Sequence, residues 1–238
     1  MKKRDLLFGV IYIGIFIPLF ISPAVYEHYA AFSREWAFTA SFLKFALLAT
    51  MGEMLAVRIR TGKYYTRGFG LLPRAFVWGI LGVFTKAAFI IFSGGVPSIL
   101  MNLGMNDPAA VMAGGLTIQK AGLSFCISFF MNIFFAPVLM ITHKVTDTHI
   151  MATGGSVRRF FSLIKTSEAL GNIDWNVMWG FVLKKTIPLF WIPAHTITFL
   201  LPAELQILFA AILSTALGLI LAFAAHKRVD GLKETEVH

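Results

Sequence analysis

Six apolar stretches, at about 6–25, 38–57, 75–93, 121–142, 181–201 and 205–225, constrain this chain more than any other feature. Each approaches the roughly 20 residues that a helix needs to cross a bilayer. With 57% apolar residues, 14% charged residues and a mean hydropathy of +0.75, the 238-residue chain lacks the polar surface of a soluble domain. The expected fold is all-α: one polytopic transmembrane helix bundle spanning 1–238, with the bilayer as its principal partner.

The basic residues orient the spans. Lys2, Lys3 and Arg4 precede the first. Arg58, Arg60, Lys63, Arg67 and Arg74 follow the second. Lys144, Arg158, Arg159 and Lys165 follow the fourth, and Lys227, Arg228 and Lys233 follow the sixth. These are fifteen of the 21 Lys and Arg, against Arg34 and Lys120 on the opposite side. Six spans with both termini cytoplasmic satisfy the positive-inside rule; five would not. The net charge of +9 is therefore read as topology, and no nucleic-acid partner is expected. Ser22-Pro23-Ala24, after a basic start and an apolar run, resembles a signal cleavage site, but a retained anchor is the reading preferred here. The N-terminus lacks the Ser-rich amphipathic character of a mitochondrial address, which favours a prokaryotic plasma membrane, or an organelle membrane in a eukaryote.

Two connections carry a pattern. The cytoplasmic loop 143–180 is the longest. Within it Val157, Phe160, Phe161 and Ile164 share one helical face behind Ser156 as N-cap, predicting an amphipathic helix over about 156–170. It either rests among headgroups or packs on the cytoplasmic ends of the spans. The outer connection, 93–115, is apolar for a loop and is expected to dip into the interface.

An ionisable group at mid-bilayer costs roughly 2.5–3.5 kcal/mol on insertion scales and normally faces protein or a wet cavity. Glu53 lies on a second-span face with Ala49, Gly52, Ala56 and Arg60. The third span repeats the arrangement with Gly79, Gly82, Lys86 and Ser93. Gly52, Gly79 and Gly82 are the expected helix-packing glycines. A Glu53–Lys86 pair suggests itself, but helical rise separates the two by about 11 Å in depth. Pairing of Glu53 with Arg60 or Arg74, and Lys86 snorkelling outward, are the alternatives.

The fourth span adds Ser128 and Asn132. In the fifth, Lys184, Pro188, Trp191, His195 and Thr198 share a face, with Lys184 and Lys185 reaching for the inner interface. Pro188 and Pro193 free the carbonyls of Lys184 and Leu189, which then need partners. Lys86, Asn132 and His195 are expected in one layer. Glu53, Arg74, Lys86, Asn132, Trp191, His195 and Thr198 are thus the candidate pathway or buried polar network. That layer either lines a passage for a small solute or ion, or only bonds helices together in a scaffolding protein. A homo-oligomer is compatible with either.

Catalysis and cofactors are not expected. Cys126 is the sole cysteine, so no internal disulfide or cysteine-rich metal site forms. No catalytic triad order or phosphate-binding loop appears, and His143, Asp147 and His149 lack a fourth ligand for a metal.

Four motifs in order resemble the Mpv-seventeen / peroxisomal membrane protein twenty-two family over roughly 40–225. Gly52-Glu53 resembles the family's first-span Gly-Asp. Arg74, Gly79, Gly82 and Lys86 follow its Arg…Gly…Gly-Pro-x-x-His pattern, with Val83 and Lys86 in place of Pro and His. Asn132, Phe135, Ala136 and Pro137 resemble its Asp-Gln…Phe-Ala-Pro, with Met131 at the Asp position. Trp191, His195, Thr198, Phe199 and Pro202 follow its Trp-Pro-x-x-Gln-x-x-Asn-Phe…Pro, with Pro193 shifted by one and one residue fewer before Pro202. The resemblance implies a small, non-enzymatic integral membrane protein of the channel or small-solute type, of a kind residing mainly in organelle membranes. The first span is an addition to the family pattern.

Overall fold

Proline, glycine and the helical period divide the chain into rods. A computed structural model describes residues 3–235, with side chains described up to residue 220. Lys2 and the side chains of Lys227, Arg228 and Lys233, counted above, lie outside the described part. The described residues form helices and no strand. Three helices are long and apolar enough to cross a membrane: α4 (Ala37–Thr61), α5 (Leu71–Asn102) and the last helix as far as Ile220. A fourth span arises if α7 (Ile118–Phe134) and α8 (Ala136–Ala152), which meet at 43°, count as one.

The first apolar stretch departs from the single helix expected over 6–25. It forms α1 (Lys3–Gly14), α2 (Ile17–Ile21) and α3 (Pro23–Glu35). Pro18 and Pro23 supply no amide donor to a preceding turn, and Ser22 leaves helical geometry to cap α3 through the amide of Val25.

The third stretch runs past its expected end at 93. The 32 residues of α5 rise about 48 Å, well beyond a hydrocarbon core of about 30 Å, so part of it extends beyond the apolar slab. The short α6 (Pro108–Ala113) then folds back, and Val111 and Met112 pack against the core rather than leaving it. The fourth stretch bends where Pro137 enters the first turn of α8, and it also continues past 142. The segment 143–152, expected in a loop, is therefore helix.

The predicted amphipathic helix over 156–170 is two pieces, α9 (Val157–Phe160) and α10 (Thr166–Gly171). Ser156 caps the first, but the Ser162 hydroxyl takes the Arg159 carbonyl and ends the run. Of the four apolar residues on the expected face, Phe160 packs inward on Val77, Leu81 and Ile150, while Phe161 stays largely exposed.

The fifth stretch is a rod of changing pitch. Its parts are α11 (Trp175–Val177), a π-helix (Met178–Trp191) and α12 (Ile192–Leu200). Within the wide turns the Thr186 hydroxyl bonds Phe181 O, five residues back, and the Ile192 amide bonds Ile187 O. Widening the helix around Pro188 re-pairs groups that an α-helix would leave open. The last helix, α13 (Ala203–Thr235), closes the bundle.

The core sits where α4, α5, α7, α12 and α13 meet, around Phe45, Leu48, Phe89, Leu123, Ile127, Met131 and Phe199. Small residues set the spacing. A methyl group on Gly82 would stand 2.6 Å from the Phe45 Cβ and 2.7 Å from the Ser41 carbonyl oxygen. One on Gly52 would stand 2.8 Å from the Thr215 backbone, and one on Gly79 would enter the Phe42 ring. Thr215 Oγ1 donates to Leu48 O at 2.9 Å, tying α13 to α4. The opposite faces of α4 and α5 present Leu43, Leu47, Phe84 and Ile91 outward, the apolar coat that a bilayer requires.

Candidate functional site

Two glycine loops bring the site together. Gly70 precedes α5 and Gly155 follows α8, both with positive φ. Their backbones approach so closely that a Cβ on Gly155 would lie 2.6 Å from the Gly70 nitrogen. This contact sets the start of α5 against the end of α8, with α4 alongside. Arg74 on α5 thereby forms ion pairs with both Glu53 on α4 and Asp147 on α8, and its Nε donates to Phe69 O at 2.6 Å. Its side chain is 8% exposed, against 19% for Glu53 and 21% for Asp147. Glu53 Oε1 also accepts from Trp78 Nε1 at 2.9 Å and lies 3.0 Å from His143 Nε2. One carboxylate thus takes partners from three residues on two helices, and one guanidinium is shared by two carboxylates.

The cluster faces a cavity of about 410 Å³ at the basic end of the bundle. Arg60, Arg67, Lys144 and Asp147 line it, and Glu53 and Arg74 form its floor. Beyond that floor the indole of Trp78 packs at a tilt against the His143 ring, with centroids 4.3 Å apart, and stacks on Phe45 at 6.4 Å. Past this aromatic layer lies a second cavity of about 30 Å³, room for one or two water molecules. Phe45, Thr85, Asn132, Ala136, Met140 and His195 are among its walls.

Helical register links the two cavities. Phe45, Ala49 and Glu53 lie on one face of α4. Arg74, Trp78 and Thr85 do so on α5, and Ala136, Met140, His143 and Asp147 on α8. Three helices therefore run from charge cluster to inner cavity over about 12–16 Å.

At the inner cavity Asn132 Nδ2 donates to Ser128 O at 2.8 Å and lies 3.1 Å from His195 Nδ1. Ser128 Oγ donates to the Ile192 carbonyl at 2.7 Å. The carbonyl supplied from outside the fifth stretch is thus that of Ile192, not Lys184 or Leu189, because the π-helix has already changed the pairing there. Trp191 stacks on His195 at 5.1 Å and Phe89 meets the imidazole edge-on at 5.7 Å. Thr198 turns its hydroxyl back to Ala194 O.

The expected residues therefore fall into two groups. Glu53 and Arg74 join the outer cluster, while Asn132, Trp191 and His195 join the inner one. The direct Glu53–Lys86 pair does not form: Arg74 holds Glu53 instead, consistent with the depth difference. Thr85 and Phe89, on either side of Lys86, meet the Asn132 and His195 level, but no hydrogen bond joins Lys86 to either residue among the described ones. Among the described residues Lys86 has no hydrogen bond or ion pair, and it lies within electrostatic reach of Lys44. Lys184 and Lys185 are exposed.

Trp78, His143 and Asp147 were not among the expected site residues. The available signal was the helical spacing His143–Asp147 ahead of the Gly154-Gly155 stop, which extends α8 through a segment read as loop. His149 turns away from both, its Nε2 2.9 Å from Phe160 O. Among the described residues no cluster of His, Cys, Asp and Glu has the arrangement of a metal site. The chain matches no family model, no curated protein and no solved structure.

Proposed function

We propose that this chain is a six-span membrane protein with both termini on its basic, cytoplasmic side, forming a narrow conduit for a small polar solute or ion. In the present conformation the conduit is shut by the layer of Phe45, Trp78 and His143. The prokaryotic plasma membrane is the proposed location. Divergent membership of the Mpv-seventeen / peroxisomal membrane protein twenty-two family rests on the four motifs above.

The carrying observation is the open, charged cavity that reaches a half-submerged carboxylate and is separated by one aromatic layer from a second, small and mostly apolar cavity that Asn132 and His195 help to line. Its mouth favours anions: Arg60, Arg67, Arg74 and Lys144 outnumber Glu53 and Asp147. Reconstituted in liposomes, Trp78→Ala should conduct chloride above both empty vesicles and wild type, with less potassium flux. Verified insertion with no flux in either protein would overturn the proposal.

A second reading, a scaffold whose polar groups only join helices, is favoured by the small inner cavity and by the completeness of the Arg74 pairing. It predicts that Trp78→Ala lowers stability and leaves vesicle permeability at background.

A further inference from the structure

A separate feature lies at the basic end, where α1 meets α4. Arg58 on α4 and Asp5 on α1 form a two-point ion pair, Nε to Oδ1 at 2.7 Å and Nη2 to Oδ2 at 2.9 Å. Tyr64 donates to Asp5 Oδ1 at 2.9 Å, and its ring stacks on Phe8 at 4.7 Å. Arg58 is committed further to the Gly62 carbonyl. Partial burial and the Asp5 carboxylate push the Tyr64 phenol above its ordinary range, so it stays a neutral donor. Arg58, Asp5, Tyr64 and Phe8 therefore form a fixed wall.

On one side of this wall is a cavity of about 730 Å³ lined by Lys3, Arg4, Lys63 and Tyr65. Among the described residues these three cations have no ion-pair partner, and no acidic residue lines the cavity. On the other side is a groove of about 500 Å³ walled by Phe8, Ile13, Leu55, Ile59 and Leu219. Arg58 and Tyr64 line both. A basic pocket thus adjoins an apolar groove at the end of membrane-crossing helices.

We infer that these two cavities together bind one anionic phospholipid, its phosphate headgroup among Lys3, Arg4 and Lys63 and an acyl chain along Phe8, Ile13, Leu55 and Ile59. Charge and polarity argue for this occupant. A free anion fills only the first cavity, and a zwitterionic lipid gains little from three uncompensated cations. The hydrocarbon groove adjoins the headgroup pocket across Arg58 and Tyr64, which line both, as a molecule with a charged head and an apolar tail requires. The inference does not rest on the conduit, since the site lies on the α1–α4 face and uses none of the conduit's residues.

The test is native mass spectrometry of the delipidated full chain in detergent, with phosphatidylglycerol, phosphatidylcholine or inorganic phosphate added separately. The expected result is one retained phosphatidylglycerol per chain and weak retention of phosphatidylcholine. Lys3→Gln/Arg4→Gln/Lys63→Gln should lower apparent affinity on the order of 100-fold, at roughly fivefold per cation. Ile13→Trp, which fills the groove, should abolish retention with the charges intact. Lys63→Gln alone, at an exposed position, covers the case in which the triple variant does not fold, and should cost about fivefold. Equal retention of both lipids, or retention unchanged in Lys63→Gln and Ile13→Trp, would overturn the inference. So would inorganic phosphate displacing the lipid at equal concentration. A dimer lost on Ile13→Trp without any bound lipid would assign the groove to a second copy instead.

Discussion

Neutralising the carboxylates around Arg74 one at a time, and then together, should give costs that do not add. Glu53→Gln keeps the side chain's shape but removes its charge. Whichever way the new amide turns, an NH₂ faces either the Arg74 guanidinium or the Trp78 and His143 donors. Charge-assisted hydrogen bonds are worth about 1.5–3 kcal/mol each. Asp147 remains to neutralise Arg74, so the net cost is about 2–3 kcal/mol. Asp147→Asn loses the ion pair with Arg74 and a looser one with the exposed Lys144 at 3.7 Å, and should cost about 1–2 kcal/mol, with Glu53 still in place. In the double variant Arg74, its side chain 8% exposed, keeps the Phe69 carbonyl and neutral amide oxygens at best, with no counter-ion. A buried charge stripped of its counter-ions costs a further 3–5 kcal/mol. The double variant should therefore exceed the sum of the singles by at least 1 kcal/mol. Equilibrium unfolding in mixed micelles, followed by circular dichroism, measures all four corners. Singles within about 0.5 kcal/mol of wild type, or strictly additive costs, would show that the cluster is solvated and would remove the floor of the proposed vestibule.

Other expectations follow from the packing. Gly82→Leu places side-chain atoms inside contact distance of Phe45 and the Ser41 carbonyl, and should cost at least 1–3 kcal/mol in the same unfolding assay. Gly94→Leu on the same helix, where nothing lies within 4 Å, should be neutral. Asn132→Leu strands His195 Nδ1 and should cost about 1–2 kcal/mol, the upper part of the range for polar contacts between membrane helices. Thr215→Val removes one bond to the Leu48 carbonyl while keeping shape, and should cost about 0.6 kcal/mol by the same measurement.

Helical spacing alone locates the close-packed seams of α4, because Gly79 and Gly82 mark where α5 approaches it and Gly52 marks where α13 does. It also brings Asn132 and His195 to similar depths, since depth along a helix follows from residue count. Three things were beyond it. Pairing between helices depends on rotation as well as depth, so Arg74, not Lys86, finds Glu53. The end of α8 is set by Gly154 and Gly155 meeting the Gly68–Gly70 turn, a contact between distant parts of the chain. Without it, His143 and Asp147 read as loop. The first apolar stretch has a spanning length, yet Pro18 and Pro23 break it locally, and hydropathy summed over a window does not register the break.

The claim at the centre of this account is that a water-filled mouth on the basic side leads to Trp78 and stops there. Side-specific labelling by an impermeant thiol reagent in sealed vesicles, in a Cys126→Ser background, tests it directly. Ala56→Cys, on the wall of the outer cavity, should react from the basic side only. Ala136→Cys, on the wall of the inner cavity, should stay inert until Trp78→Ala is added, and then react from that same side. An inert Ala56→Cys, or an Ala136→Cys that remains closed after the indole is removed, would contradict the account.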